Sequence, residues 1–457
     1  MSSVKGAYNK LLLLTSSRLV ARSNRNDNLA LARMVERSRL YKPYYLYGYE
    51  KTQWLPRTDL DRITAKSLKA FIAYAYGNVP YYHKVMRERE LGPEDIRTVE
   101  DLTKLPILTK ELIRSNFDSL VSNAIPPQKR ILMKTGGSTG EPLPFYSTQE
   151  ADEWIWASML RARTWQGVLV NFRKVGVSAA IKERDKWERN EIYYSAFDCS
   201  DKAFGRVVQE MTAFRPQYVT GYAAPLYLLA RYLKERGIRG ISPYAVETQS
   251  EMLFPYMRES IEEAFQCPVF DHYGCKETTI KACDCSRHEG LHVSVENGVL
   301  ETVKDDEQVV GEAGSFLMTD FRNLAMPLIR YEVGDSGKMS AEQCSCGRSL
   351  PLLESILGRT LDIVVLPKGR VLPGEFFPYF LNNVSGIIQY QVEQKAVDRI
   401  TLRIVKSPNF REDDQRTLLS NLSDFLGEEV EVNIEYVGHI SLTPTGKQKI
   451  VVSHVKL

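Results

Sequence analysis

The chain has 457 residues, 43% hydrophobic and 26% charged, an ordinary composition for a folded protein with room for more than one core. Lys plus Arg number 60 against 57 Asp plus Glu, and this formal charge of +3 gives no warrant for a nucleic-acid or membrane-surface partner. No run approaches the roughly 18 apolar residues of a membrane span, the early run Leu11 to Leu14 is too short for a signal-peptide core, and an odd count of Cys (7) argues against a fully paired disulfide framework; cytoplasmic residence is the expectation.

Residues 1–60 are basic and polar with scattered aromatics and read as a helical segment. Over 61–76 apolar residues recur at helical spacing, and another helix is predicted after Pro80. Ser147 to Glu150 reads as a capping box opening a helix that runs towards Trp165. Between about 170 and 320, short apolar runs at 175–179, 218–221, 244–248 and 268–272 alternate with helix-like segments at 201–214, 226–235 and 255–265. Strands alternating with helices predict an α/β layered sheet. Strand-like pieces then dominate 291–331. After Asp362 the texture resets, with strands predicted at 363–366, 387–392, 401–405 and 430–436 and helices at 374–381 and 412–426. The expected architecture is α/β: a helical N-terminal segment (1–60), a large α/β layered domain (61–358) and a small C-terminal α+β domain (363–457).

The most informative segment is Met133-Lys134-Thr135-Gly136-Gly137-Ser138-Thr139-Gly140-Glu141-Pro142. Glycines let backbone amides approach an anion, hydroxyls add donors around it, and Lys134 supplies positive charge. That chemistry suits a polyphosphate; a polar surface turn is the alternative. It is not a Walker loop, because no Gly-Lys-Ser/Thr stands at the required spacing. Nor is it a Rossmann fingerprint, because the chain contains no Gly-x-Gly.

With its companions this loop resembles the signatures of the acyl-adenylate superfamily, which holds acyl-CoA synthetases, luciferase and peptide-synthetase adenylation domains. Tyr273-Gly274-Cys275-Lys276-Glu277 resembles the Y-G-x-x-E motif. Thr319-Asp320-Phe321, then Met326 to Tyr331 and Gly334-Asp335, resembles the segment ending in the family's ribose-binding aspartate. Gly358-Arg359-Thr360-Leu361-Asp362 resembles the hinge and Pro444-Thr445-Gly446-Lys447 the C-terminal lysine motif. Five matches in order, over roughly 135–450, are specific because independent chances multiply. The phenylacetate–CoA ligases look closest, with features of the branch found in capsular-polysaccharide gene clusters, itself similar to a synthetase that nucleotidylates a deazaflavin coenzyme.

The resemblance implies residue roles. Thr135, Gly136, Gly137, Ser138, Thr139 and Gly140 would cradle the phosphates of ATP. Tyr273, followed by Gly274, would lay its ring on adenine, Asp335 would accept from both ribose hydroxyls, and Arg359 would reach ribose or phosphate. Glu277 would hold Mg²⁺, since a hard cation wants oxygen ligands. Lys447 would bridge the attacking carboxylate and the α-phosphate. Tyr222, Ala223 and His272 would line the acyl pocket. Two positions depart from the family pattern: Lys276 stands where Thr is common, and at the hinge Leu361 precedes Asp362, so either is the pivot. The rotation inherited from the family would bring Gly369 and its loop to a thioester-forming site.

The implied reaction is ATP-dependent activation of a carboxylic acid, with pyrophosphate release and transfer to coenzyme A. The alternative is an adenylyltransferase, or an amide- or ester-forming ligase, that works without coenzyme A. Cys283, Cys285, His288 and His292 cluster about 60 positions before Cys344-Ser345-Cys346. Short-range cysteines from two places build tetrahedral zinc sites, and the preferred set is Cys285, His288, Cys344 and Cys346 with a structural Zn²⁺; buried free thiols are the alternative.

Overall fold

The computed structural model describes residues 43–135, 143–168, 172–178, 190–195, 201–359, 363–367, 371–373, 386–407, 429–440 and 450–455, with scattered positions between 377 and 426. The expectations for 1–42, for the loop 136–140, for the hinge at 361–362, for Gly369 and for Lys447 lie outside the described residues.

The first described elements are helices α1 (Pro43–Thr52), α2 (Arg57–Asn78) and α3 (Pro80–Glu88). Helix α2 buries Leu60, Thr64, Leu68, Phe71, Ile72 and Ala75, a spacing of three and four that keeps one face inward. Each large apolar side chain so buried contributes roughly 1.5–3 kcal/mol. It ends where Pro80 forces Val79 into extended backbone, and the same Pro80 opens α3. Helix α2 runs without a break across position 60, where the sequence suggested a boundary. Helix α1 is tied to the body by hydrogen bonds from Tyr49 to Asn297 and from Thr52 to Glu296, and Glu296 also accepts from buried Arg161 at 2.6 Å.

A hairpin, β1 (Ile131–Lys134) and β2 (Pro144–Ser147), then leads into α4 (Gln149–Trp165). The cap of α4 is Thr148, whose hydroxyl accepts from the Ala151 amide at 3.1 Å, one residue later than the expected box because Ser147 is still paired in β2. Next come β3 (Lys174–Ser178), β4 (Glu191–Ser195), α5 (Asp201–Phe214), β5 (Tyr218–Tyr222), α6 (Ala223–Glu235), β6 (Ala245–Gln249), α7 (Pro255–Phe265) and β7 (Val269–Tyr273). Strands β4-β3-β5-β6-β7 are parallel neighbours. Their inward row Val175, Val219, Val246 and Val269 packs under α5, α6 and α7.

At β7 the sheet changes direction. Antiparallel strands β8 (Ala282–Asp284), β9 (Leu291–Val293), β10 (Gly298–Lys304), β11 (Glu307–Gln308), β12 (Ala313–Asp320), β13 (Tyr331–Met339) and β14 (Leu352–Arg359) complete a 12-stranded sheet in the order β11-β10-β12-β13-β14-β9-β8-β7-β6-β5-β3-β4. A second core, holding Leu68, Phe71, Phe316, Phe321 and Tyr331, joins this half to α2 and α3.

The small C-terminal domain has its own core. A hairpin β15 (Ile363–Val365) and β16 (Val371–Pro373) precedes the sheet β19-β18-β17-β20, made of β17 (Ile387–Ala396), β18 (Arg399–Lys406), β19 (Glu431–Tyr436) and β20 (Val451–Ser453). Of the two helices expected here, the described members Phe377, Leu381, Leu418, Leu422 and Leu426 are helical and buried against Val392, Leu402 and Ile404. The whole is a large N-terminal α/β layered domain with a small α+β C-terminal domain, as the sequence led one to expect.

Candidate active site

Ligands of open α/β sheets sit beyond the carboxyl ends of the parallel strands, at the switch in strand direction. Here that place is the end of β7. The residues after it, 274–281, loop out and return as β8. Tyr273, the last residue of β7, donates its hydroxyl to Asp335 Oδ2 at 2.9 Å and rests its ring on Phe316 at 5.6 Å. Burial, and then the Asp335 charge, hold the Tyr273 phenol well above its ordinary value, so it stays a donor. Asp335 lies within β13, in register with Arg359 of β14. Three sequence-predicted residues from three strands are thereby brought to one corner.

Glu277 is buried, and Tyr331 donates its hydroxyl to Glu277 Oε1 at 2.8 Å. The carboxylate is thus oriented by a phenol that burial, and then the Glu277 charge, keep protonated. Lys276, the departure from the family pattern, is exposed and donates Nζ to the Lys134 carbonyl at 2.9 Å. Lys134 is the last residue of β1, directly before the glycine-rich segment. Thr135 closes the neck of that segment: its amide donates to the Leu143 carbonyl at 3.0 Å, and its hydroxyl accepts from the Leu143 amide at 2.9 Å.

The 274–281 loop is buttressed by residues without a role in the sequence reading. Asp320 accepts from the Thr279 amide at 2.9 Å and from its hydroxyl at 2.6 Å, and Asn297 donates to the Thr279 carbonyl at 2.7 Å. Buried Lys281 donates to the carbonyls of Cys275 at 2.7 Å and Thr278 at 3.3 Å. A Cβ at Gly274 would stand 2.6 Å from Lys281 Cδ, so a side chain there would displace the Lys281 side chain from its present path. Nothing in the spacing of Thr278-Thr279-Ile280-Lys281 marks these residues in advance.

On the face of the sheet under α4, Tyr222, Gln249 and His272 share one row at the strand ends. Ala223 is the first residue of α6 and is fully buried. Both ring nitrogens of His272 are buried without a hydrogen-bond partner, and burial pushes the imidazole down to about 4, so it is neutral. One row below, Glu247 accepts from Gln166 at 2.9 Å.

Away from this corner, Cys285, His292, Cys344 and Cys346 bring their ligand atoms within 4.8 Å of one another. Cys285 Sγ is 3.7 Å from Cys344 Sγ, and Cys346 Sγ is 3.3 Å from His292 Nε2. A tetrahedral zinc site with ordinary bond lengths has S–S edges of about 3.8 Å and S–N edges of about 3.6 Å, so the set fits. The expected ligand His288 is not in it. His288 sits in a turn at φ +54, and its Nδ1 is 2.7 Å from Asp284 Oδ2 and 3.0 Å from Arg258 Nη1. His292 takes the place because β9 pairs with β14 opposite Leu352, next to the loop that carries Cys344 and Cys346. That loop is fastened in turn: Gln53 Oε1 accepts from Arg348 Nε at 2.9 Å and from Trp165 Nε1 at 2.7 Å, and the Arg348 guanidinium lies over Trp54 and Trp165.

Comparisons with known proteins bear on the fold. A family profile described as "CapK C-terminal domain" matches residues 365–454. Protein CapK of Staphylococcus aureus is 26% identical over 431 residues, spanning 90% of this chain and 94% of that protein. A phenylacetate-coenzyme A ligase of Thermus thermophilus is 24% identical over 427 residues, spanning 86% and 94%. Among solved structures, 2-hydroxyisobutyryl-CoA ligase in the postadenylation state superposes with a TM-score of 0.66 at 18% identity, over 88% of this chain and 91% of that one. Its open conformation, in complex with 2-HIB-AMP and CoA, gives 0.62. The fold is therefore that of the acyl-adenylate-forming ligases. Along most of its length the chain is similar to CapK and to phenylacetate-coenzyme A ligases.

Proposed function

We propose that this protein uses ATP to activate a carboxylic acid as an acyl-adenylate, releases pyrophosphate, and transfers the acyl group to coenzyme A. The observation that carries the reading is the Tyr273–Asp335 hydrogen bond, with Glu277 four residues further along the same loop. An aromatic face and a ribose-binding carboxylate side by side suit one adenosine, and a buried carboxylate next to them suits the cation that accompanies its phosphates.

In this reading Tyr273 stacks on adenine beside Gly274, and Asp335 holds the ribose hydroxyls, with Arg359 reaching ribose or phosphate. Thr135, Gly136, Gly137, Ser138, Thr139 and Gly140 wrap the phosphates. Glu277 holds Mg²⁺, which when bound offsets phosphate charge. Lys447 meets the negative charge that develops as the carboxylate attacks the α-phosphorus. The division at 358–363 lets the 363–457 domain bring Lys447 to the site and then turn away for thioester formation. Tyr222, Ala223 and His272 line the acyl side. Cys285, Cys344 and Cys346, with His292, hold a structural Zn²⁺, supported by the approach of their four ligand atoms to within 4.8 Å of one another. No described helix is long and apolar enough to cross a membrane, and we place the enzyme in the cytoplasm.

Acid-dependent exchange of pyrophosphate into ATP, measured across a panel of carboxylic acids, tests the first half-reaction. Exchange that is lost about 10²–10³-fold in Lys447→Ala supports it, and exchange at the wild-type rate in that variant refutes the lysine's role. Thioester formed on adding coenzyme A supports the second half; exchange without thioester points to another acceptor.

A further inference from the structure

The loop at 274–281 has to solve a physical problem. It projects an exposed cation, Lys276, and a buried carboxylate, Glu277, in different directions from adjacent residues. Adjacent side chains diverge readily, but aiming the Glu277 carboxylate in one direction requires the backbone around the pair to be held.

Lys281 supplies the fixing. Lys281 is 7% exposed, and its ammonium donates to the carbonyl before Lys276 and to the carbonyl after Glu277, those of Cys275 and Thr278. The two bonds bracket the Lys276-Glu277 pair. The absence of a Cβ at Gly274 opens the channel through which the Lys281 side chain passes. A buried ammonium is costly unless opposite charges are near. Burial pulls the Lys281 pKa down, and the Asp320 and Glu277 carboxylates are among the charges that push it back up. Carbonyls alone could be tied by a neutral donor; a lysine at this depth also meets the charge of Glu277.

We propose that Lys281 is a positioning residue for adenylation: by clamping the Cys275 and Thr278 carbonyls it sets the direction of Glu277 and so the affinity of the site for its divalent cation. The proposal rests on the reading that Glu277 holds Mg²⁺, and it adds a residue that acts through Glu277 without touching substrate.

The test is the Mg²⁺ dependence of pyrophosphate exchange in the full-length protein, for wild type, Lys281→Met, Lys281→Gln, Glu277→Gln and the Glu277→Gln/Lys281→Met double variant. In Lys281→Met the Mg²⁺ concentration for half-maximal rate rises about 10-fold, while the KM of the acid changes less than about 2-fold. Lys281→Gln, which keeps one donor, falls between it and wild type. In the Glu277→Gln background the Lys281→Met change has little further effect, because the two residues act as one unit. An unchanged Mg²⁺ requirement in both Lys281 variants, or full additivity with Glu277→Gln, overturns the proposal while leaving adenylation standing. If Lys281→Met does not fold, Lys281→Gln decides on the same readout. Absence of acid-dependent exchange in the wild type removes the adenylation reading and this inference with it.

Discussion

Lys276 Nζ lies 2.9 Å from the carbonyl oxygen of Lys134, a residue 142 positions earlier in the chain. The bond joins the motif loop after β7 to the strand that leads into the glycine-rich segment. It gives the unusual lysine a definite job: it clasps the two loops expected to face one nucleotide.

Removing the clasp should loosen the phosphate side of the site and leave the cores intact. Lys276 is exposed and its bond is worth about 1 kcal/mol. Lys276→Met should therefore raise the KM for ATP about 3- to 10-fold and leave the melting temperature within about 2 °C of wild type. Steady-state kinetics and thermal melting together check this.

The Tyr273–Asp335 pair makes a sharper prediction. Tyr273→Phe keeps the ring and loses the 2.9 Å bond, so the KM for ATP should rise only a few-fold. Asp335→Ala removes the ribose acceptor and leaves the buried phenol without that partner, costing about 10²-fold or more in kcat/KM for ATP. Equal and small effects in the two variants would mean that the nucleotide lies elsewhere.

The metal reading separates two histidines. Purified protein should carry about one zinc per chain by elemental analysis. His292→Ala should lose the metal and melt about 5 °C lower or more, while His288→Ala should keep it. The distinction follows from the 3.3 Å approach of His292 to Cys346 and the engagement of His288 with Asp284.

His272 should matter to the acid more than to ATP. Its unpartnered nitrogens favour acids that offer a hydrogen-bonding group, so His272→Phe should shift the acid preference towards plain aryl or alkyl acids. The pH effect has a definite sign. The unfolded imidazole takes up a proton near 6.5, which the folded one refuses until about 4, so acidification through that window destabilises the native state. Asp271, raised to about 6 by burial, contributes with the opposite sign. His272→Gln should remove the first contribution and keep the second, a difference readable from denaturation midpoints between pH 4 and 6.5.

Strands β3, β5, β6 and β7 of the parallel half were legible because Val175, Val219, Val246 and Val269 stand in short apolar runs among helices of amphipathic period, whereas β4 (Glu191–Ser195) was not among the expected runs. Strand β8 was not, since the three residues Ala282–Asp284 carry no usable period. The choice of His288 over His292 came from Cys-x-x-His spacing. What decides it is strand pairing, which sets His292 opposite Leu352 and which local sequence does not encode. Tyr273, Glu277 and Asp335 were singled out through motifs. Of their supports, Asp320 and Tyr331 fall inside a motif segment but without a role there, and Lys281, which acts from the far side of a turn, is announced by no fixed spacing.

The most direct test is mass spectrometry of a quenched single turnover, with enzyme in excess over ATP, Mg²⁺ and an acid that the protein accepts. A mass equal to that acid joined to AMP with loss of water, present in wild type and reduced about 10²-fold or more in Glu277→Gln, is the predicted result. Hydrolysis of ATP by folded protein without any acid–AMP adduct, across a broad range of acids, would contradict it.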